Sequence, residues 1–561
     1  MLMILFSWLA IGGAAVIFGK AIVDRAYRDD IRRMGKTDIY IITGIIFMNI
    51  YAQVFSLFYK VAGFACTILG VAGIVLVAGW AVGLIRRKEK PLHLDFLKEH
   101  PYRVVVLLLC LVVTMTWTVQ EAGHYDTGLY HAQAIRWIEE YGVVPGLGNL
   151  HMRLAYNSAF MSLQALFSLQ WFLGQSLHTL NGFFCILCLG YAVMTIRARE
   201  DQGWKVSDLL KCAMVIYIVW TRYNISSSGT DIWALLLVLY VCAKWCEFAE
   251  DEEESAAPWS FICLTGIYAL TVKLSSAVIV LLTIYPLYLM IKKKNVRQIL
   301  GNAAAAIMIL LPFLIRNVII SGYLIYPYAG IDLFDVDWKM NPRVLASDSL
   351  DIKMFGRGIR RVNEYDNSLL RWIPRWFGRQ QTGNQVLILV GTVCTVVVLY
   401  RLWIYIRRKQ IREIIFTGTI LLSLVFWLMT APLIRYGSVY FLIMISIAIG
   451  GLNEREWNID TNKIINIGLL FVMIPLLGSY IGKMEALSDM ESKLWVKQEE
   501  YPAWPATQYQ VENVSIWVPD EGDLVGYFAF PATAQKKYLQ DLGLRGSNFQ
   551  EGFYSHEQRA R

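Results

Sequence analysis

Charge is scarce in this sequence. Asp, Glu, Lys and Arg make up 17% of its 561 residues, against roughly 25% in soluble proteins. Apolar residues reach 56%, and mean hydropathy is +0.45. Together these exclude a soluble multidomain enzyme as the bulk of the chain, and a disordered or fibrous protein as well. Low-complexity stretches and internal repeats are missing, and 15 Pro and 41 Gly are ordinary numbers. There is no P-loop and no G-x-G-x-x-G after a strand, so no cytosolic nucleotide site is read. All nine cysteines (Cys66, Cys110, Cys185, Cys188, Cys212, Cys242, Cys246, Cys263 and Cys394) lie in or beside apolar runs. They read as small buried hydrophobes rather than a disulfide framework.

What the chain does have is long apolar runs. A spanning helix needs roughly 20 mostly apolar residues. About fourteen such segments are expected: 2–19, 38–60, 63–85, 103–119, 176–196, 206–222, 229–248, 258–274, 275–291, 299–319, 384–405, 412–431, 437–452 and 463–482. The fold class expected is an all-α polytopic membrane protein.

Basic residues in short loops stay cytoplasmic. Lys20 to Lys36, Arg86 to Lys90, Arg197 with Arg199, Lys292 to Arg297 and Arg407 to Arg412 are such loops. Placing all of them inside puts both termini outside. Segment 156–172 is apolar, yet spanning there would turn every later basic loop outward, so it is expected at the interface or as a re-entrant helix. Residues 120–175 and 320–383 then become large external loops. The external tail 483–561 reads as a small α/β domain built on the strand-like 514–519 and packed on the membrane part. Residues 1–90 form an added N-terminal unit, 91–482 the core.

The densest polar chemistry follows the fourth span, in EAGHYDTGLYHAQAIRWIEEYGVVPGLGNLHMRLAYNS. From Asp126 a helical pattern runs to Tyr141 and is closed by Gly142. Leu129, Ala132, Ile135 and Ile138 give it one apolar face, with His131 and Arg136 off that stripe. Asp126 suits either a helix N-cap or a catalytic carboxylate. Tyr125 and Tyr130 suit interfacial anchoring or a site. His124, His131 and His151 lack the H-E-x-x-H spacing of a zinc helix. Asp231, in ISSSGTDIWALLL, begins a span and again reads as cap or function. Lys273, Arg316 with Asn317, and Arg435 with Tyr436 sit at predicted outer span ends, where snorkelling to head groups competes with phosphate binding. The loop 320–383 interleaves many arginines with Trp338, Trp372 and Trp376, which suits a collar for head groups or a lid.

These parts resemble the GT-C class of membrane glycosyltransferases. The shared features are a first large external loop opening on an Asp, an amphipathic helix (127–141), an apolar interfacial helix (156–172), and a span ending in arginines (176–196 with Arg197 and Arg199). The string HYDTGLYHAQAIRWIEEYGVVPGLGNLH is similar to a signature of uncharacterised bacterial membrane proteins in that class. The resemblance covers roughly residues 103–450, and the three spans ahead of the Asp loop depart from it. It implies transfer of a sugar from a polyprenyl-phosphate carrier to a glycan, lipid or protein acceptor, on the extracytoplasmic face of a bacterial plasma membrane. Asp126 would be the general base. Asp231 would bind the acceptor or help hold a divalent cation (Mg or Mn). His124, Tyr125, Tyr130, His131, His151, Arg153, Lys273, Arg316, Asn317, Arg435 and Tyr436 would line the substrate. Membrane lipids are expected partners and nucleic acid is not. Three other readings stay open: a polymerase or ligase of lipid-linked polysaccharide, a flippase for a lipid-linked glycan, and a non-catalytic assembly or sensor protein with the tail as its binding module. A flippase needs ionisable residues near span midpoints, where this sequence shows few.

Overall fold

The computed structural model describes residues 1–87, 101–196, 205–450 and 496–559. The chain is a helical membrane protein with a small region of sheet near its C-terminus. Apolar runs fold this way because lipid offers no partner for a bare N–H or C=O, and a helix satisfies both internally.

In chain order the helices are α1 (Leu2–Ala26), α2 (Thr37–Ser56), α3 (Gly63–Arg87), α4 (Pro101–Thr118), α5 (Ala132–Glu140), α6 (Ala159–Phe167), α7 (Leu180–Thr195), α8 (Val206–Trp220), α9 (Thr230–Glu250) and α10 (Ala256–Val272). A 3₁₀ stretch, Leu274–Thr283, leads into α11 (Ile284–Lys292). Then come α12 (Val296–Ser321), α13 (Pro342–Gly356), α14 (Leu369–Gly378), α15 (Thr382–Arg407), α16 (Ile411–Thr430) and α17 (Ile434–Gly450).

Thirteen of the fourteen expected spans fall on helix, and the last, 463–482, lies outside the described residues. Among the described residues nine helical segments are long and apolar enough to cross a bilayer. Helices α7, α8 and α10, at 16, 15 and 17 residues, fall short of the roughly 20 that a span needs. Segment 156–172 is not a lipid-facing helix. Its nine-residue α6 is buried from Ala159 to Leu166 and packs on α2 and α5.

Helix α9 is the central post, with 94% of its apolar window buried among α8, α10 and α17. Helices α1 and α2 cross at Gly19 and Gly44. A Cβ on Gly19 would meet Tyr40 O at 1.7 Å, and one on Gly44 would meet Ala15 O at 1.9 Å. Only glycine permits so close a crossing. Residues 1–87 also join the core directly, since Trp8 Nε1 donates to Thr179 O at 3.1 Å.

The spans carry more buried charge than their sequence suggests. Lys211 of α8 sits 2.9 Å from Glu247 and 3.3 Å from Asp208. Lys244 of α9 sits 2.9 Å from Glu247 and 2.7 Å from Asp38. Full mutual pairing is what admits these groups to an apolar interior.

Near the C-terminus, β1 (Ala506–Val511) and β2 (Val514–Pro519) form an antiparallel hairpin. A second pair joins β3 (Leu542–Leu544) to β4 (Phe553–Ser555). Ile516, Leu544 and Phe553 share one apolar core with Trp137, Leu150 and Tyr326. The tail therefore packs on the loops 120–175 and 320–383.

Candidate functional site

The loop after α4 enters its helix through a π-helical turn, Thr127–His131, which runs on into α5. Such turns add one residue to the ladder and are frequent at functional sites. Gly142, at φ +84°, ends the segment where the sequence places the stop. The tail holds the turn in place. Val525 and Gly526 both donate to Gly128 O, at 3.1 and 2.8 Å. Trp504 lies over Gly128 so closely that a Cβ there would be 2.8 Å from the ring. Gln133 Nε2 donates to Gly526 O and Ala529 O at 2.8 and 2.7 Å, and Arg136 donates to Tyr527 O at 2.9 Å.

Asp126 does not cap the helix it precedes: its side chain accepts no helix N–H. Its carboxylate turns instead to Arg435, whose Nη2 lies 3.0 Å from Oδ2. The N-cap role of Asp231 fails too. Gly229 occupies that position, and Asp231 sits in the first turn of α9. Its two oxygens meet Lys273 on one side and Arg435 Nε, 3.6 Å away, on the other. Lys273 follows the last residue of α10, and Arg435 is the second residue of α17. Four helix ends thus bring together an alternating chain, Asp126–Arg435–Asp231–Lys273.

Tyr436 closes this group. Its hydroxyl accepts from Arg435 Nη2 at 2.8 Å, and Lys273 Nζ stands 4.0 Å above its ring. His124 Nε2 lies 3.2 Å from Arg435 Nη1, while His124 Nδ1 faces the Asp126 N–H, also at 3.2 Å. A neutral imidazole has one lone pair for these two donors. Burial pushes His124 below its ordinary value despite Asp126 beside it. Burial works to raise Asp126, but Arg435, with His131 and His124, outweighs it and holds the carboxyl below the usual range. The four charged side chains keep between 19% and 35% of their surface exposed. Charge in reach of solvent can exchange partners with a ligand.

The remaining expected residues divide. His131 is buried beside Tyr130, with ring centroids 4.3 Å apart, and burial pushes it down to about 3. Tyr130 feels the charges of Asp126, Asp231 and Arg153 alike, so it stands between this cluster and a second one. There Arg153 meets the fully buried Asp348 at 3.0 Å. Tyr326 donates to that carboxylate at 2.9 Å, and Tyr156 donates to it as well. Burial raises Asp348. Asp348 belongs to the loop 320–383, which the sequence marks by its cations and not by this acid. Tyr125 turns away from Asp126 and donates to Asp523 at 2.5 Å.

Arg316, Asn317 and His151 do not join the Asp126 cluster. Arg316 donates to Asn157 Oδ1 at 3.2 Å and to Ser56, and Asn317 Nδ2 donates to Leu324 O at 2.8 Å. Both fasten loops to α2 and α12. The void that Arg316 lines is about 20 Å³, far too small for a sugar. His151 is buried near Tyr538 and is pushed down to about 3. Burial keeps it neutral.

Among the described residues no three His, Cys, Asp or Glu side chains are grouped to hold a metal ion. Asp126 and Asp231 share Arg435 rather than facing each other across an open gap.

No curated protein and no solved structure matches this chain. Residues 1–442 match a family model described as Domain of unknown function (DUF8201). The matched length includes α1 to α3 as well as Asp126, Asp231, Lys273 and Arg435, and with most of its sequence so covered the chain belongs to the DUF8201 family.

Proposed function

We propose that this protein is a GT-C-type membrane glycosyltransferase. It would move a sugar from a polyprenyl-phosphate carrier to an acceptor hydroxyl, on the extracytoplasmic face of a bacterial plasma membrane. The observation that carries this reading is the partly exposed chain Asp126–Arg435–Asp231–Lys273 at the ends of four helices.

The chemistry assigns each member a task. The acceptor oxygen bonds to the anomeric carbon while the bond from that carbon to the carrier phosphate breaks. The acceptor proton passes to Asp126, and the electron pair leaves on the phosphate. Arg435 and Lys273 neutralise that leaving group; the guanidinium grips it through two N–H groups and the ammonium acts as a point charge. Asp231 holds Arg435 and Lys273 in place and would accept a hydrogen bond from the acceptor. Without substrate, Arg435 makes Asp126 a weak base. A carrier phosphate competes for the same guanidinium, so donor binding frees the carboxylate and raises its basicity. The base is thereby activated only when there is a sugar to transfer.

A transporter reading draws on the buried charges of α8 and α9. Those charges pair with one another and are almost fully enclosed, which suits a fixed clamp better than a transit path.

The test is reconstitution in vesicles with a panel of radiolabelled polyprenyl-phosphate sugars, comparing wild type with Asp126→Asn. Labelled acceptor product from wild type alone supports the enzyme. Label that crosses the membrane with its carrier bond intact supports a flippase and removes the enzyme reading.

A further inference from the structure

Helices α13 and α14 form a platform that the reaction at Asp126 does not use. Both seat on Pro432, in the link between α16 and α17. A Cβ on Gly356, the last residue of α13, would come within 2.8 Å of Pro432 Cδ. From α14, Trp376 Nε1 donates to Pro432 O at 2.8 Å, and its ring meets that of Trp427 with centroids 5.8 Å apart. Arg357 ties down the turn between the two helices. Its guanidinium stands 4.6 Å over Trp372 and donates to Asp366 O at 2.9 Å. Three residues after α14, the long apolar helix α15 begins. The platform therefore lies at the ends of α15, α16 and α17, on the side that holds Arg435 and Asp126.

Helix α14 divides into two arcs. Trp372 and Trp376 are buried against the protein, and Ile373 and Phe377 are half-buried. Helical spacing puts Leu369 and Leu370 on the same apolar arc, yet no part of the chain covers them, and Leu370 is 90% exposed. Arg371 and Arg375 occupy the opposite arc. An apolar arc that is half bare, backed by cations, is the arrangement of a helix lying in the plane of a bilayer surface.

Charge on this surface is one-sided. Residues 355–379 hold six arginines against two acids, Glu364 and Asp366. Asp366 already pairs with Arg371 at 3.3 Å. Arg379 donates to Gly358 O, which draws the turn 358–361 against the end of α14. Arg360, Arg361 and Arg375 are exposed, and among the described residues their side chains have neither an ion pair nor a hydrogen bond. Glu364 can offset one of the three. Uncompensated cation thus stands beside bare leucine.

We propose that this surface docks on the head groups of anionic phospholipids: Leu369 and Leu370 enter the acyl boundary, and Arg360, Arg361 and Arg375 meet the phosphates. A guanidinium suits a phosphate because it grips two oxygens at once. A zwitterionic head group offers the same phosphate but brings its own cation, so net charge decides between lipids. Each basic residue near an anionic surface is worth about fivefold in binding, so two uncompensated arginines imply a preference of at least about tenfold. The surface is independent of the reaction proposed for Asp126.

Photoreactive phosphatidylglycerol tests this. The full chain is placed in nanodiscs of phosphatidylcholine that contain a small share of the probe, or of photoreactive phosphatidylcholine with the same acyl diazirine. Labelled peptides are mapped by mass spectrometry. At low salt, label on 355–379 should be at least about tenfold heavier from phosphatidylglycerol. The ratio should fall towards one in about 1 M salt, where charge is screened within about 3 Å. Replacing all three arginines (Arg360→Gln, Arg361→Gln, Arg375→Gln) should bring it near one at any salt, and Leu370→Asp should lower label from both probes. Arg407→Gln with Arg408→Gln, at the far end of α15, should change neither. The proposal is overturned if the two probes label 355–379 equally in wild type, or if the triple variant keeps the preference. A wild-type surface without lipid preference that binds heparin would belong to an acidic polymer instead. Should the triple variant fail to fold, the salt series on wild type decides alone.

Discussion

Helix α9 carries an alternating chain of acids and bases at each of its ends, and the two chains differ in exposure. At one end Asp231 joins Arg435, Asp126 and Lys273, all between 19% and 35% exposed. At the other, Glu247 joins Lys211, Lys244 and Asp208, none above 2%, and Asp38, the outer partner of Lys244, keeps 18%. The chemistry is similar, but the work differs. Buried charges cannot change partners without a large desolvation cost, so they fix helices. Partly exposed ones exchange at a smaller cost, so they can receive a substrate. Position on the helix separates a clamp from a site less well than access does.

The largest effect expected is on catalysis. Asp126→Asn should lower sugar transfer by about 10²–10⁴-fold while moving the melting curve by less than about 1 kcal/mol. A variant that loses both together would place Asp126 with the clamps. Next comes the buried end. Glu247→Gln leaves two lysines short of a partner and should cost about 3–5 kcal/mol in denaturation. Asp231→Asn, at a group that keeps some contact with solvent, should cost less than that. Equal losses would erase the contrast drawn here.

Acidity probes a third environment. His131 and His151 are pushed down to about 3 by burial, so they stay neutral where the unfolded chain, with values near 6.5, binds protons. Stability should therefore fall as pH drops from about 6.5 towards 3. Each histidine accounts for about 2 kcal/mol at pH 5. Melting of His151→Gln at pH 7 and 5 should show a smaller gap than wild type. The smallest effect belongs to Tyr125→Phe. It removes a bond to Asp523 between two exposed partners and should change stability by under about 1 kcal/mol, with transfer per molecule retained.

Much of the helical frame was legible, because hydropathy alone marks where a chain meets lipid. Span number was less so. Helices α8 and α10 stop at Thr221 and Lys273, where the chain turns to build loops, and no local pattern marks that. Asp126, Asp231, Lys273 and Arg435 stood out as ionisable residues at ends of apolar runs. Their convergence, and the pairing that removes both carboxylates from capping, is a matter of how helices distant in sequence pack. Arg316 had the same sequence context as Arg435 yet lies buried on Asn157 and Ser56. Asp348 was hidden because a lone Asp among cations in a loop carries no sign of its burial.

The two N–H groups that reach Gly128 O, and the indole laid over that glycine, come from the far end of the polypeptide. Tyr125 and Asp523, in the same contact, are 398 positions apart. The wall beside Asp126 is therefore finished only when synthesis has passed residue 526. Until then an emerging chain would have Arg435 to pair with its acid but none of the contacts that hold the turn beside it.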